Sequence, residues 1–399
     1  MVLGGVAVAV VAGIGIGAIA GNLAGAGAAT PSGSPPIAQV STPPSPGGST
    51  PLASVGPSAA ASATPSGSPS PTPPAGPTLV AAPLTGRPVT AEVASRHPVA
   101  VMVDDLLAAR PQSGFSAASV VWHAPAEGGI PRYMMVFQDQ VPKDIGPVRS
   151  ARYYFIAWAS EWRAVYAHSG GSPQAKETLA AKGRGQLVYN ADEFAWSGSF
   201  HRVTFRTPPH NLYTDGATLN RLGARLGAKP SAYKAAWSFA PDAPLEARPT
   251  GGTIRVSFPY NKVIYRYDRT SNTYLRSVSG ESKQVDRTTK TRVAPQNVIV
   301  MLMQFSLLPD AKHRLEAKVT GSGRAWISTN GRTIKGTWKK SSLTGKTQFF
   351  DSKGRAVKLT VGQTFIEVVP AASDLSLTPG KAPTTAPAPS PSQSAAGGY

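Results

Sequence analysis

The residues of this chain whose types could do chemistry are the arginines Arg132, Arg149, Arg152, Arg202 and Arg206 and the carboxylates Asp104, Asp105 and Glu127. Guanidinium forks suit phosphate or pyrophosphate oxygens, and carboxylates suit a divalent cation such as Mg or Mn. On that reading Asp104 and Asp105 hold the metal, Asp104 and Glu127 are the catalytic groups, and Arg149 and Arg152 grip the phosphate. Buried arginine–carboxylate pairs, Arg132 with Glu127 or Arg152 with Asp104, would use up the same residues structurally.

Local context adds two further anion-binding candidates. Ser150 is a plausible N-cap for a helix over Tyr153 to Trp162, which puts Arg149 and Arg152 near a first turn where the helix dipole disfavours cations. Two arginines there are costly unless an anion shares the site. Ser169-Gly170-Gly171-Ser172-Pro173 reads as strand, glycine turn and capped helix start, so its amides could cradle an anion or simply form a tight turn. Phe200 to Tyr213 sets Arg202, Arg206, His201, His210 and Asn211 among aromatics, and Pro208 and Pro209 keep it out of helix. Such a loop binds ligands or packs arginine on rings.

Zero cysteines exclude disulfides, thiol nucleophiles, cysteine-ligated zinc and a cysteine-borne lipid. No Gly-x-Ser-x-Gly elbow and no His-Glu-x-x-His helix occurs. None of the six histidines has a metal-ligand spacing. His123, His168 and His210 serve equally well as hydrogen-bonded core residues.

The elements that must position these groups read as two regions. Pro98 to Val103, Ala118 to His123, Arg132 to Gln138 and Ala164 to His168 are apolar strand candidates, with acidic residues after strand ends. From Gly251 the pattern becomes short strands divided by turns such as Asn330-Gly331. The fold class expected is a mixed α/β domain over 80–245 followed by a smaller all-β domain, a sandwich or barrel, over 246–370. Lys335, Lys339 and Lys340 around Trp338 make the densest basic spot. Between Glu246 and Pro370 there are 22 Lys+Arg against 8 Asp+Glu, whereas Arg87 to Leu245 has 17 against 12. That excess would attract polyanions, teichoic acid or anionic lipid headgroups, unless it is dispersed solvated charge.

The first 86 residues carry no charge and 15 of the 38 prolines, so they cannot form a soluble folded domain. Val2 to Ala20 is apolar and near the roughly 20 residues of a membrane span, which makes 1–29 a transmembrane anchor or a signal peptide cut after Ala26-Gly27-Ala28. No basic residue precedes Arg87, so the usual orienting flank is missing. Gly13, Gly17, Gly21 and Gly25 share a helical face that could pair two copies, or they reflect simple Gly/Ala bias. Residues 30–79 read as a disordered Pro/Ser/Gly linker and 371–399 as a disordered tail. The folded body is expected outside the cytoplasmic membrane, on a single-pass anchor, where nucleic acid is not an expected partner.

The run Pro98 to Asp104, then Ala109 to Gly114, then Glu127 to Ile130 with Arg132, resembles the N-terminal domain of the YerB-like lipoprotein family. Gly146 to Arg152, His168 to Pro173 and Pro209 to Tyr213 continue the likeness in the same order. Trp338-Lys339-Lys340, Asp351 to Gly354 and Gly362-Gln363-Thr364 resemble its C-terminal domain. The likeness covers roughly residues 80 to 370. It implies a bacterial envelope domain and supplies no reaction, since that family is one of unknown function. Lipoprotein members carry a lipidated cysteine; this chain has none, so an uncleaved apolar helix would have to replace it. The arginine and aspartate set also looks like that of LytR-type cell-wall phosphotransferases, in residue types without a shared motif.

Three functions follow as expectations. The first is an envelope protein binding an anionic wall polymer or lipid through Arg132, Arg149, Arg152, Ser169, Gly170, Gly171, Arg202, Arg206, His210 and Asn211. The second is a metal-assisted phosphotransferase or hydrolase of cell-wall assembly. The third is a scaffold for wall-synthesis proteins.

Overall fold

Strand β1, Val99–Asp104, is buried at every position, as its unbroken apolar run requires of a strand covered on both faces. The computed structural model describes residues 78–181 and 187–383. After β1 come β2 (Val120–Ala124), β3 (Arg132–Phe137), α1 (Tyr153–Ala159), β4 (Val165–His168), α2 (Pro173–Ala181), β5 (Tyr189–Asp192) and α3 (Gly216–Arg225). The later half adds β6 (Thr253–Ser257), β7 (Lys262–Asp268), β8 (Thr273–Val278), β9 (Asn297–Leu302), β10 (Gly321–Thr329), β11 (Arg332–Lys340), β12 (Gln348–Asp351), β13 (Thr364–Val369) and β14 (Leu375–Thr378). The sequence-predicted strands are present to within a few residues.

The two expected regions are joined through one sheet. Ten strands form one sheet in the order β12-β11-β10-β9-β13-β2-β3-β1-β4-β5, so both halves of the chain share it. The seam is a parallel pair, β13 beside β2, with Thr364 opposite Val120 and Glu367 opposite His123. The remaining late strands form a second sheet, β8-β7-β6-β14. The later half is therefore no self-contained sandwich or barrel. Strand β14, which pairs with β6, also lies inside the segment expected to be a disordered tail. Leu375 and Leu377 supply the apolar alternation that the surrounding proline-rich composition hides.

The sheet's two faces have separate cores. Ala100, Met102, Trp122 and Met134 face α1, whose buried Trp158 stacks on Trp122 with ring centroids 4.5 Å apart. Val99, Val101, Val103 and Met135 face α3 and the second sheet. Helix α1 is buried nearly all round, and its cap is Arg152 without a side-chain bond, not Ser150. Ser150 is still in extended chain, where its hydroxyl accepts from Arg152 at 3.1 Å. The expected anchor over residues 2–20 and its glycine face lie outside the described residues. Among the described residues, no helix is long and apolar enough to cross a membrane.

Between the two sheets lies a buried ionic cluster. Arg276 of β8, fully buried, donates to Tyr265 Oη at 2.8 Å, Tyr133 Oη at 3.1 Å and Glu367 Oε1 at 3.3 Å. His123 places Nδ1 2.6 Å from Glu367 Oε2 and Nε2 3.0 Å from Asp105 Oδ2. Burial opposes the charged ring, but Glu367 and Asp105 outweigh it and hold His123 above its ordinary 6.5. Burial also opposes charge on Asp105 and Glu367. There His123, with Arg110 and Arg276 at Asp105 and Arg276 at Glu367, outweighs it and keeps both carboxyls below their ordinary 3.8 and 4.5.

The signs define a stability window. A raised histidine stabilises the fold below its unfolded value and loses that effect as pH climbs through the folded value. Lowered carboxyls stabilise above their unfolded values and lose it as pH falls through the folded ones. The cluster therefore contributes fully between pH 4.5 and 6.5, and the thermal midpoint should be highest there. His123→Gln should flatten the alkaline limb of that profile. A midpoint rising steadily from about pH 6 to about pH 9 would contradict the assignment.

Candidate functional site

The segment Pro147 to Arg149 runs beside the end of β1, with the Asp104 amide donating to the Pro147 carbonyl and the Arg149 amide to that of Met102. This places Arg149 over Asp104, whose Oδ2 accepts from Arg149 Nε at 2.7 Å and lies 2.7 Å from His210 Nδ1. Beside this pair is a small cleft of about 100 Å³ lined by Val148, Arg149, Ser150, Ser169, Arg202, Pro209 and Leu212. Arg202 is half exposed at 52% and Arg149 is 20% exposed, so both guanidinium groups are reachable from solvent. Asn211 holds Arg202 through a 3.0 Å bond, and Ser169 Oγ donates to Glu193 at 2.9 Å. Three segments separate in sequence, around Arg149, Ser169 and Arg202, thus bring Arg149, Ser169, Arg202, His210 and Asn211 together.

Other expected anion ligands go elsewhere. Arg152 pairs with Glu127 through both carboxylate oxygens, one of them at 2.6 Å, and Arg132 stands 3.9 Å from the same group. Burial raises the Glu127 carboxyl, but the two arginines, Arg152 first through its hydrogen bonds, bring it below its ordinary value. Burial, with Arg152 nearby, pushes Arg132 down to about 10, which leaves it charged at neutral pH. The ion-pair alternative thus holds for Arg132 with Glu127, while Arg152 takes Glu127 and leaves Asp104 to Arg149. Arg206 ties down backbone, donating to the carbonyls of Ala108 and Pro111 at 2.6 Å each. The glycine turn does bind an anion, but the anion is internal: the Gly170 amide donates to Asp192 at 2.9 Å. Gly171 packs against Ala151 as a bridge partner.

The proposed metal carboxylates are also engaged. Asp104 is taken by Arg149, His210 and the Leu106 amide. Asp105 is buried among Arg110, His123 and Asn261. No group of three or more candidate metal ligands forms among the described residues. As proton-transfer groups, Asp104 and Glu127 are held as counter-ions to arginines. The basic spot at β11 divides too. Trp338 is core, and Lys340 is buried on Glu161 at 3.1 Å.

Three contributors, Glu193, Glu367 and Arg276, carry no local mark in the sequence that ties them to this site. Glu193 closes the cleft's rim through Ser169 and Arg202. Glu367 and Arg276 form the buried ion pair at the seam of the sheet. The available signal was a charged residue inside an otherwise apolar strand, Thr364–Val369.

Comparison with known proteins places the chain. The family described as "Protein of unknown function (DUF3048)" matches through its N-terminal domain over residues 84–229 and through its C-terminal domain over residues 254–366. "Putative lipoprotein YerB" of Bacillus subtilis is 32% identical over 307 residues, 75% of this chain and 89% of that protein. The crystal structure of the YerB protein from Bacillus subtilis superposes with a TM-score of 0.67 at 30% identity, covering 75% of this chain and 99% of that one. The chain belongs to the DUF3048 family, and YerB is a relative similar to it in sequence and fold.

Proposed function

We propose that this is a membrane-associated protein of the cell envelope that binds a phosphate-sized anionic group, carried by a lipid headgroup or wall polymer, in the cleft at Arg149 and Arg202. One observation carries the reading. Two solvent-reachable arginines and the Ser150 and Ser169 positions converge on a cleft of about 100 Å³, a volume suited to a single tetrahedral anion. Charge-assisted bonds from two guanidinium groups supply affinity, and Asp104 and Asn211 pre-orient them so that little rotamer freedom is lost on binding. The relative's printed name, a lipoprotein, supports membrane association, and the apolar stretch 2–20 is the segment that would provide a single-pass anchor here.

The test is calorimetric titration of the protein with pyrophosphate, with and without magnesium. Arg149→Ala and Arg202→Ala should each weaken binding by about 10–100-fold, the worth of a hydrogen bond to a charged group. Arg206→Ala should leave affinity unchanged, because its guanidinium is spent on backbone carbonyls. Undiminished affinity in Arg149→Ala would sink the assignment, and a requirement for magnesium would favour the metal-assisted reading instead.

A further inference from the structure

A second cavity, which shares no lining residue with that cleft, lies where the second sheet meets the β10–β11 hairpin. It has a volume of about 520 Å³, within the roughly 300–1,000 Å³ typical of small-molecule sites. Its walls are mainly apolar. Ile254 of β6 and Leu375 and Leu377 of β14 form one side, and the rings of Tyr267, Tyr274 and Trp326 form the other. The tyrosine hydroxyls are already hydrogen-bonded within the protein: Tyr267 donates to Asn272 at 2.7 Å and Tyr274 accepts from the Gly331 amide at 3.1 Å. The Asn330-Gly331 turn closes over Tyr267, where any side chain on Gly331 would strike the ring.

The rim is cationic. Arg332 and Lys335 line the cavity, and Trp326 and Lys335 also line an adjoining pocket of about 190 Å³ that adds Arg324, stacked 5.6 Å over the Trp326 ring. No carboxylate lines either space. Among the described residues none of these three cations forms a salt bridge; Arg332 donates only to the Ala247 carbonyl. The sequence excess of basic residues in this half is thus focused, in part, on the mouth of an apolar cleft.

We propose that this cleft binds an anionic amphiphile: an acyl or isoprenyl chain packed against Ile254, Leu375, Leu377 and Trp326, with a phosphate head at Lys335 and Arg324. The charge pattern opposes a cationic head, which three uncompensated cations would repel, and favours an anionic one over a neutral one. The apolar part of the wall favours a ligand with a chain over a bare anion, which would gain no burial there. This site is separate from the arginine cleft, and neither reading depends on the other.

The experiment titrates the full chain with dodecyl phosphate below its micelle concentration, read by tryptophan fluorescence and calorimetry. Dodecyltrimethylammonium and inorganic phosphate serve as comparison ligands. Dodecyl phosphate should bind saturably, and neither comparison ligand should compete. Lys335→Glu, an exposed substitution, should weaken it by about tenfold or more. Trp326→Ala should weaken it and remove most of the fluorescence change, and Arg149→Ala should not alter it. Equal binding of dodecyltrimethylammonium, or unchanged affinity in Lys335→Glu, would overturn the proposal. Binding seen only after truncation beyond Pro383 would overturn it as well, assigning the cleft to the chain's own C-terminal segment.

Discussion

Glu367→Gln is expected to cost about 3–5 kcal/mol of folding stability, the penalty for stranding a buried charge, and to lower the thermal midpoint by on the order of 10 °C. The shape barely changes, so the loss isolates charge. Around Glu367 three cationic groups, Arg276, Arg110 and His123, face two carboxylates, Glu367 and Asp105. Removing one carboxylate leaves three cations against one. Arg276→Met instead leaves two against two, and its cost is the orphaned Tyr133, Tyr265 and Gln284 partners, about 1–3 kcal/mol. The order of the two variants is the diagnostic. Chemical denaturation of both at about pH 6 measures it, and a larger loss for Arg276→Met would show that hydrogen bonding, not charge balance, sets the cluster's energy.

Much of the fold was legible because its signals are local. Strands β1, β3, β8 and β13 follow from short apolar or alternating runs, and α2 from Ser172 capping Ala175 ahead of Pro173. The arginine cleft was half legible. Arg149, Ser169, Arg202, His210 and Asn211 were singled out by type and loop context, and they do converge. Arg206 and Gly170 were singled out on equal grounds and do not, because their partners, two carbonyls and Asp192, are ordinary residues that no local pattern marks. The seam was illegible for a stronger reason. His123 and Glu367 are 244 residues apart, and beyond the change of pattern near Gly251 the chain first builds the second sheet from β6, β7 and β8 and only then adds β9 to β13 to the sheet of the first half, which no local pattern marks. Lys340 shows the same limit on a smaller scale: in sequence it is one of a basic cluster, in the fold it is buried on Glu161.

Cutting the chain at 245/246 should therefore abolish cooperative folding of the first half. In a fragment of residues 80–245, β2 loses its parallel neighbour β13, and Val120, Val121 and Trp122, all fully buried in the whole protein, sit on an unpaired edge. Asp105 and His123 lose Arg276 and Glu367, and Glu161 loses Lys340 and both bonds from Thr347, at 2.6 and 3.0 Å. Each stranded buried charge carries a penalty of several kcal/mol, together comparable to the roughly 5–15 kcal/mol that a whole domain has to spend. Calorimetry of the fragment should show no sharp transition, and its near-ultraviolet dichroism should be weak. Adding residues 246–383 as a second chain should restore both signals by completing the ten-stranded sheet. A fragment that melts cooperatively by itself would mean that the seam is an interface between two independent domains, and the parallel β2–β13 pairing would then be a docking contact between finished units instead of the step that completes the core.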